Sequence, residues 1–262
     1  MPRSIIDCHV HLVQWAGGRS TECLVTAARS RGIRRMVCSS LGLDAYEIYI
    51  SARGMVAAND YVLREMERYP DELVGLCYAC PVHLDASLRE IERCVERGPM
   101  AGIKLWIDAR ATDPRTAEIA DAAVALGVPV LQHAFDKANG NFTHESTPAD
   151  VAALAASHPR LRIHMAHLYG AGLRGISAVA PHPNVWVDTS GSDPESGVLE
   201  YALRKLGPER ILFGSDAPGR SFGVQLGKIH GTAMDDAALS AILGGNTARL
   251  YGLSWNPSEG ER

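Results

Sequence analysis

His9-Val10-His11 places two imidazoles two residues apart near the start of the chain. Side chains two apart on a strand share a face, so both rings can turn toward one ion. The pair alone is weak evidence, because ten histidines in one chain make a chance pair common. Three further polar residues close apolar runs in the same manner: His133 in PVLQHA, His167 in LRIHMAH and Asp216 in ILFGSD. Imidazole nitrogens combined with a carboxylate are the ligands of a divalent metal, zinc best, with manganese, cobalt or iron also compatible. Such a metal lowers the pKa of bound water from about 15.7 to about 7, which is enough to carry a hydrolysis at neutral pH. Each residue taken singly is explained as well by a satisfied polar side chain in a strand-to-helix loop. The set is not, because it recurs at the ends of strands.

The elements that must hold these residues alternate. Short β-rich runs begin near residues 4, 34, 72, 101, 127, 161, 184 and 210, each separated by enough chain for one crossover helix. Ile119, Ala122, Ala123 and Leu126 give one helical face. Asp113-Pro114, Thr147-Pro148 and Asp193-Pro194 mark helix starts, and Gly32, Gly98, Gly127 and Gly207 mark helix ends that call for a left-handed cap. The last helix is expected over roughly 235–243, with GGNTARLYGL closing the bottom or side of the fold.

Eight β-then-α units fit either an open doubly wound sheet or a closed barrel. The ligand candidates end strands one, five, six and eight. In an open sheet with strands about 4.8 Å apart, those four ends cannot reach one ion. A closed barrel collects all strand ends on one face. The expectation is therefore an α/β fold, a (β/α)8 TIM barrel, as a single domain over residues 1–262 with a C-terminal helix.

Strand parity assigns the remaining polar residues. Ile103 and Leu105 toward the helices would turn Lys104 and Trp106 into the barrel. His164 and His167 are three apart, so only one faces the axis; His167 is chosen, and His164 is expected in the helix layer with a structural role. Asp188 in VWVDTS has no clear alternation and could face either way. Arg220, in the loop after the eighth strand, is a candidate for binding an anionic substrate, although a solvated loop arginine explains it as well.

DCHVH resembles the D-x-H-x-H opening of the amidohydrolase superfamily. GIKLW, His133, AHLYG, VWVDTSG, RILFGSDAP and GNTARLYGL follow in the order of its amidohydrolase-related branch, from Asp7 to about Leu253. AHLYG departs from the branch's usual glycine-rich AHGGG or AHLGG. The branch contains aminocarboxymuconate-semialdehyde decarboxylase-like and pyrone-dicarboxylate lactonase-like enzymes. The resemblance implies one divalent metal on His9, His11, His133 and Asp216, with Asp216 also the base and His167 stabilising charge in the transition state. Asp7 would lie beneath the metal. In binuclear relatives a fourth-strand lysine is carbamylated; here Lys104 is read instead as a carboxylate anchor or the partner of Asp216 or Asp188.

These residues lead to hydrolysis of a lactone, amide or ester of a small carboxylic acid, with non-oxidative decarboxylation on the same site as the rival. A TatD-like nuclease fits less well, because Lys104 stands where an acidic residue is needed and the net charge is −4 with a pI near 6.2. A catalytically inactive binding barrel is the remaining alternative. Six scattered cysteines suggest reduced thiols, not a disulfide framework. With no apolar run of about 18 residues and no leader before IIDCHVHL, a cytoplasmic protein is expected. It would have a small carboxylate-bearing substrate and neither a nucleic-acid nor a membrane partner, while homo-oligomerisation is left open.

Overall fold

The computed structural model describes residues 4–14, 21–192 and 194–256. Eight parallel strands follow one another in chain order: β1 (Ile5–His11), β2 (Ile33–Ser39), β3 (Leu73–Tyr78), β4 (Gly102–Leu105), β5 (Val130–Gln132), β6 (Ile163–Met165), β7 (Val185–Asp188) and β8 (Ile211–Leu212). The chain beyond β8 returns to β1. Cys8 N–H donates to the Phe213 carbonyl at 2.9 Å, Asp216 N–H to that of His9 at 2.8 Å, and His11 N–H to that of Ala217 at 2.7 Å. These bonds close the sheet into the expected (β/α)8 barrel.

Helices α1 (Thr21–Arg29), α2 (Ala52–Arg68), α3 (Leu84–Ile91), α4 (Pro114–Leu126), α5 (Pro148–Ser157), α6 (Leu168–Val179) and α7 (Val198–Leu206) fill the crossovers, and α8 (Phe222–His230) follows β8. Asp113 and Thr147 cap α4 and α5 as their sequence suggests, Thr147 in a reciprocal box with Asp150. Asp193 lies outside the described residues, and α7 begins only at Val198. Gly32, Gly127 and Gly207 have positive φ, but Gly98 does not. At Gly98 the constraint is space: a Cβ there would stand 2.5 Å from the Cys94 carbonyl oxygen.

The expected last helix is divided. Asp235 caps α9 (Asp236–Ser240), a wide turn spans Ala241–Gly245, and α10 (Asn246–Tyr251) follows. The apolar side chains sort into two layers. Ile103, Leu105, Ile163 and Met165 pack outward with helix residues such as Val62 and Ile119. Ile6, Cys8, Val37, Leu76, Leu131, Ala166 and Leu212 pack inward, and Ala248, Leu250 and Tyr251 of α10 join them. So α10 plugs the barrel, which is how GGNTARLYGL closes the fold. No helix among the described residues is long and apolar enough to cross a membrane.

Gly214, just past β8, permits a close approach at the centre of the barrel. A Cβ there would lie 2.9 Å from both Cβ and Cγ of Asp188 and 3.1 Å from Cβ of His9. Gly214→Ala should therefore cost about 1–3 kcal/mol, the usual price of overpacking. Urea denaturation of the two proteins checks this, and an unchanged midpoint would contradict it.

Candidate metal centre

A bulge in β1 sets up the site. Asp7 pairs with Met36 and Val10 with Cys38, so β1 spends one more residue than β2 between those points. The bulge breaks strict alternation. Consecutive residues Cys8 and His9 both turn inward: Cys8 packs with the inner layer, and His9 reaches Asp188 on β7. Asp7 sits behind the turn and accepts from the backbone N–H of His9 at 3.1 Å and of Ser215 at 2.9 Å. His11 follows on the inner face with Nδ1 against the Ser39 hydroxyl at 3.2 Å.

Parity fails again on β6, and here the sequence expectation is corrected. His164 does not face the helices. It lies wholly buried inside the barrel, with Nε2 2.9 Å from Asp188 Oδ2 and Nδ1 2.8 Å from the Tyr251 hydroxyl. His167 faces the interior as well, because its backbone is left-handed at φ 73° and redirects a side chain that simple alternation would send outward. Asp216 is left-handed too, at φ 61°. Non-glycine residues in this region cost about 1–2 kcal/mol each, and such strain concentrates at functional sites.

Four side chains converge. His9 Nε2 lies 3.2 Å from His11 Nε2 and 3.9 Å from Asp216 Oδ1, His11 Nε2 lies 3.4 Å from Asp216 Oδ1, and His167 Nε2 lies 3.8 Å from Asp216 Oδ2. Ligand atoms of His9, His167 and Asp216 all lie within 4.8 Å of one another. The hydrogen-bond partners fix the tautomers. His9 Nδ1–H donates to the Asp188 carboxylate at 2.9 Å and His167 Nδ1–H to the Ala134 carbonyl at 3.2 Å. Their Nε2 lone pairs therefore point at a carboxylate and at each other. The lone pairs gathered here, with only the Lys104 ammonium beside them, fit a cation, and the ligand set fits a divalent metal.

His133 stands one ring further out, its centroid 4.7 Å from that of His167. Its Nε2–H donates to Glu145 at 2.8 Å, and Lys137 holds the other side of the same carboxylate at 2.8 Å. Nothing in the sequence marks Glu145, since a loop glutamate twelve residues after His133 carries no periodic signal. Lys104 does point inward, but it is fully buried beneath the imidazoles, Nζ 3.3 Å from His9 Nε2, and does not reach the cavity wall. Burial lowers it to about 8 against the pull of Asp216 and Asp188, so it is still mainly an ammonium at pH 7.

Above the cluster opens a cavity of about 300 Å³. Tyr46, Trp106, Phe135 and Phe142 line it, with Lys137 and Arg220 adding positive charge and His11, His133, His167 and Asp216 exposed to it. Trp106 and Arg220 thus both line this cavity.

Burial lowers all five imidazoles; His9 falls to about 4, with the Lys104 charge adding to the effect. Burial would raise Asp216, but the His11 hydrogen bond and the surrounding imidazoles hold it well below the usual carboxylate range. A histidine whose pKa is lowered by folding supports the native state above its ordinary 6.5 and loses that support as pH falls toward its folded value. Asp7 and Asp108 oppose this: burial raises both, Asp7 to about 7, so their cost is relieved on acidification. The five imidazoles outnumber them. The metal-free protein should lose stability between pH 6.5 and 4 in urea titrations, and a flat profile would contradict the buried neutral cluster. His167→Gly should also be more stable than His167→Ala by about 1 kcal/mol, because only glycine adopts the left-handed backbone without cost.

The description "Amidohydrolase" belongs to the family model that matches residues 6–253. No match is found among the curated proteins. Among solved structures, 2,6-dihydroxybenzoate decarboxylase from Rhizobium superposes with a TM-score of 0.75 at 17% identity, covering 95% of this chain and 99% of that one. A dihydroxybenzoic acid decarboxylase from Polaromonas sp. JS666, with bound manganese and the inhibitor 2-nitroresorcinol, gives 0.76 at 17% identity over 95% and 97%. 5-Carboxyvanillate decarboxylase from Sphingomonas paucimobilis gives 0.73 at 17% identity over 96% and 99%. At this identity the likeness is one of fold. The family match spans nearly the whole chain, and the protein belongs to the amidohydrolase family.

Proposed function

We propose that the protein is a metal-dependent, non-oxidative decarboxylase of a small aromatic carboxylic acid. The observation that carries this reading is the aromatic-walled cavity opening directly onto His167 and Asp216. Tyr46 stacks edge-on against His11 and Trp106, with centroids 5.2 and 6.2 Å apart, and Phe135 lies 4.5 Å from the His167 ring. Aromatic faces suit a planar ring, and the cations at Arg220 and Lys137 suit its negative groups. Solved structures of similar fold include decarboxylases of 2,6-dihydroxybenzoate and of 5-carboxyvanillate, which agrees with such a cavity. Hydrolysis, placed first on the sequence alone, becomes the second reading.

His9, His11 and Asp216 are the residues we assign to the metal. His133 and His167 complete the centre, one as fourth ligand and the other facing the substrate. The resemblance gives the ligand role to His133, whose pairing with Glu145 is the carboxylate–imidazole arrangement common to ligating histidines, although the His167 ligand atom lies nearer the cluster. When bound, a divalent cation supplies Lewis acidity that draws off negative charge from the substrate's oxygens. Manganese joins zinc as a metal to test.

The chain's own residues do the rest. The aromatic walls hold the ring and exclude water, and Arg220 orients the anion. The bond between ring and carboxyl carbon breaks, carbon dioxide leaves, and the electron pair left on the ring carbon takes up a proton. His167, which lines the cavity and whose Nε2 carries no hydrogen, takes that proton from the substrate's ortho-hydroxyl and returns it to the ring carbon.

Protein loaded with manganese or zinc should release carbon dioxide from one or more ortho-hydroxylated benzoates. Turnover of lactones or esters with none of the benzoates would give the function to hydrolysis. His9→Ala, His11→Ala, Asp216→Ala and His133→Ala should each lose the metal on elemental analysis. His167→Ala should keep it while turnover falls about 10²–10³-fold. Loss of metal in the His167 variant with retention in the His133 variant would exchange the two roles.

A further inference from the structure

Beneath the metal candidates lies a chain of hydrogen bonds that the proposed reaction does not use. It begins at Tyr251 on α10, runs through His164 on β6 and Asp188 on β7, and ends at His9. We propose that Tyr251 and His164 form a positioning relay, by which the C-terminal helix sets the orientation and tautomer of His9; this rests on the reading of His9 as a metal ligand.

The directions of the bonds follow from the partners. Asp188 Oδ1 accepts from the backbone N–H of His167 at 3.1 Å and of Ser190 at 2.9 Å, and from the Ser190 hydroxyl. Oδ2 faces two ring nitrogens, His9 Nδ1 and His164 Nε2, each at 2.9 Å. A carboxylate offers only lone pairs, so both nitrogens carry hydrogen. A neutral His164 with hydrogen on Nε2 must accept at Nδ1, and the group there is the Tyr251 hydroxyl at 2.8 Å. Tyr251 therefore donates. Without it, His164 could turn its hydrogen to Nδ1 and present a lone pair to Asp188. His9 would then be held by a carboxylate missing one of its fixed donors, and the direction of its Nε2 would loosen.

The relay is dry and anchored. His164, Asp188 and His9 are fully buried, and Tyr251 is nearly so. Arg162 ties α10 in place by donating to the Leu250 carbonyl at 2.9 Å. Cys8 adds a thiol 3.5 Å from His164 Nε2, which makes Cys8, His164 and Asp188 a possible ligand group in their own right. Their hydrogen-bonding capacity is already used: His164 Nε2 and Asp188 Oδ2 are spent on each other and on His9. The trio therefore serves as support for a metal and not as a second metal site.

The test is calorimetric titration of Mn²⁺ into the metal-free full chain, with the melting temperature of each metal-free variant measured alongside. Wild type should bind one equivalent. His164→Leu should weaken binding about 10–100-fold, the usual effect of removing a partner of a metal ligand. Tyr251→Phe, which keeps the ring packing and removes only the hydroxyl, should weaken it severalfold with little change in the metal-free melting temperature. His164→Gln, whose amide can still donate to Asp188, should recover part of the affinity lost in His164→Leu. Unchanged affinity in Tyr251→Phe, with full recovery of folding, would overturn the relay while leaving His9 as a ligand. A second tight equivalent of Mn²⁺ that disappears in Cys8→Ser would overturn it in favour of a metal at the trio. Absence of Mn²⁺ binding in wild type would overturn both the relay and the metal reading on which it rests.

Discussion

The Asp188 carboxylate is the interaction on which the centre of this barrel depends. It is fully buried and gathers His9, His164, Ser190 and the backbone of His167 onto two oxygens. A buried charge survives only when its lone pairs are satisfied, and this one is stabilised by donors from three separate strands or strand ends. Through it the His9 ring is oriented with Nε2 turned away, toward His11 and Asp216. Burial would raise Asp188, yet the imidazoles that surround it hold it well below the ordinary carboxylate range. The opposing desolvation falls on those imidazoles, which stay neutral and keep their lone pairs. One carboxylate below and one at Asp216 thus bracket a layer of neutral nitrogen donors, with Lys104 the buried cation beside them.

The barrel supplies this arrangement through departures from regular strand geometry. A bulge in β1 and left-handed backbone at His167 and Asp216 each turn a side chain inward that uninterrupted alternation would misplace. Gly214 lets β8 approach Asp188 and His9 closely enough for the layer to close. The strain and the missing side chain are local costs, balanced by the two well-packed apolar layers on either side of the strands.

These departures also decide what could be read from the sequence. The eight strands, their order and the inward course of His9, His11, Lys104 and Trp106 were legible, because apolar periodicity and strand-end polar residues carry them. The placement of His164 was not. Parity excludes two inward histidines three residues apart, and only a left-handed residue, invisible in the pattern, permits both. Asp188 lacked a clear direction for a similar reason: VWVDTS is apolar on both faces. Glu145 and Tyr251 reach the site through tertiary contacts from a loop and from the last helix, so no local spacing announces them.

The account stands most directly on where a metal sits. A crystal structure of the protein grown with Mn²⁺, with data collected to reveal the metal by anomalous scattering, would locate it. The expected result is a single peak within about 2.0–2.3 Å of His9 Nε2, His11 Nε2 and an Asp216 oxygen. A peak bound instead by Cys8, His164 and Asp188, or no peak with Mn²⁺ in excess, would contradict it.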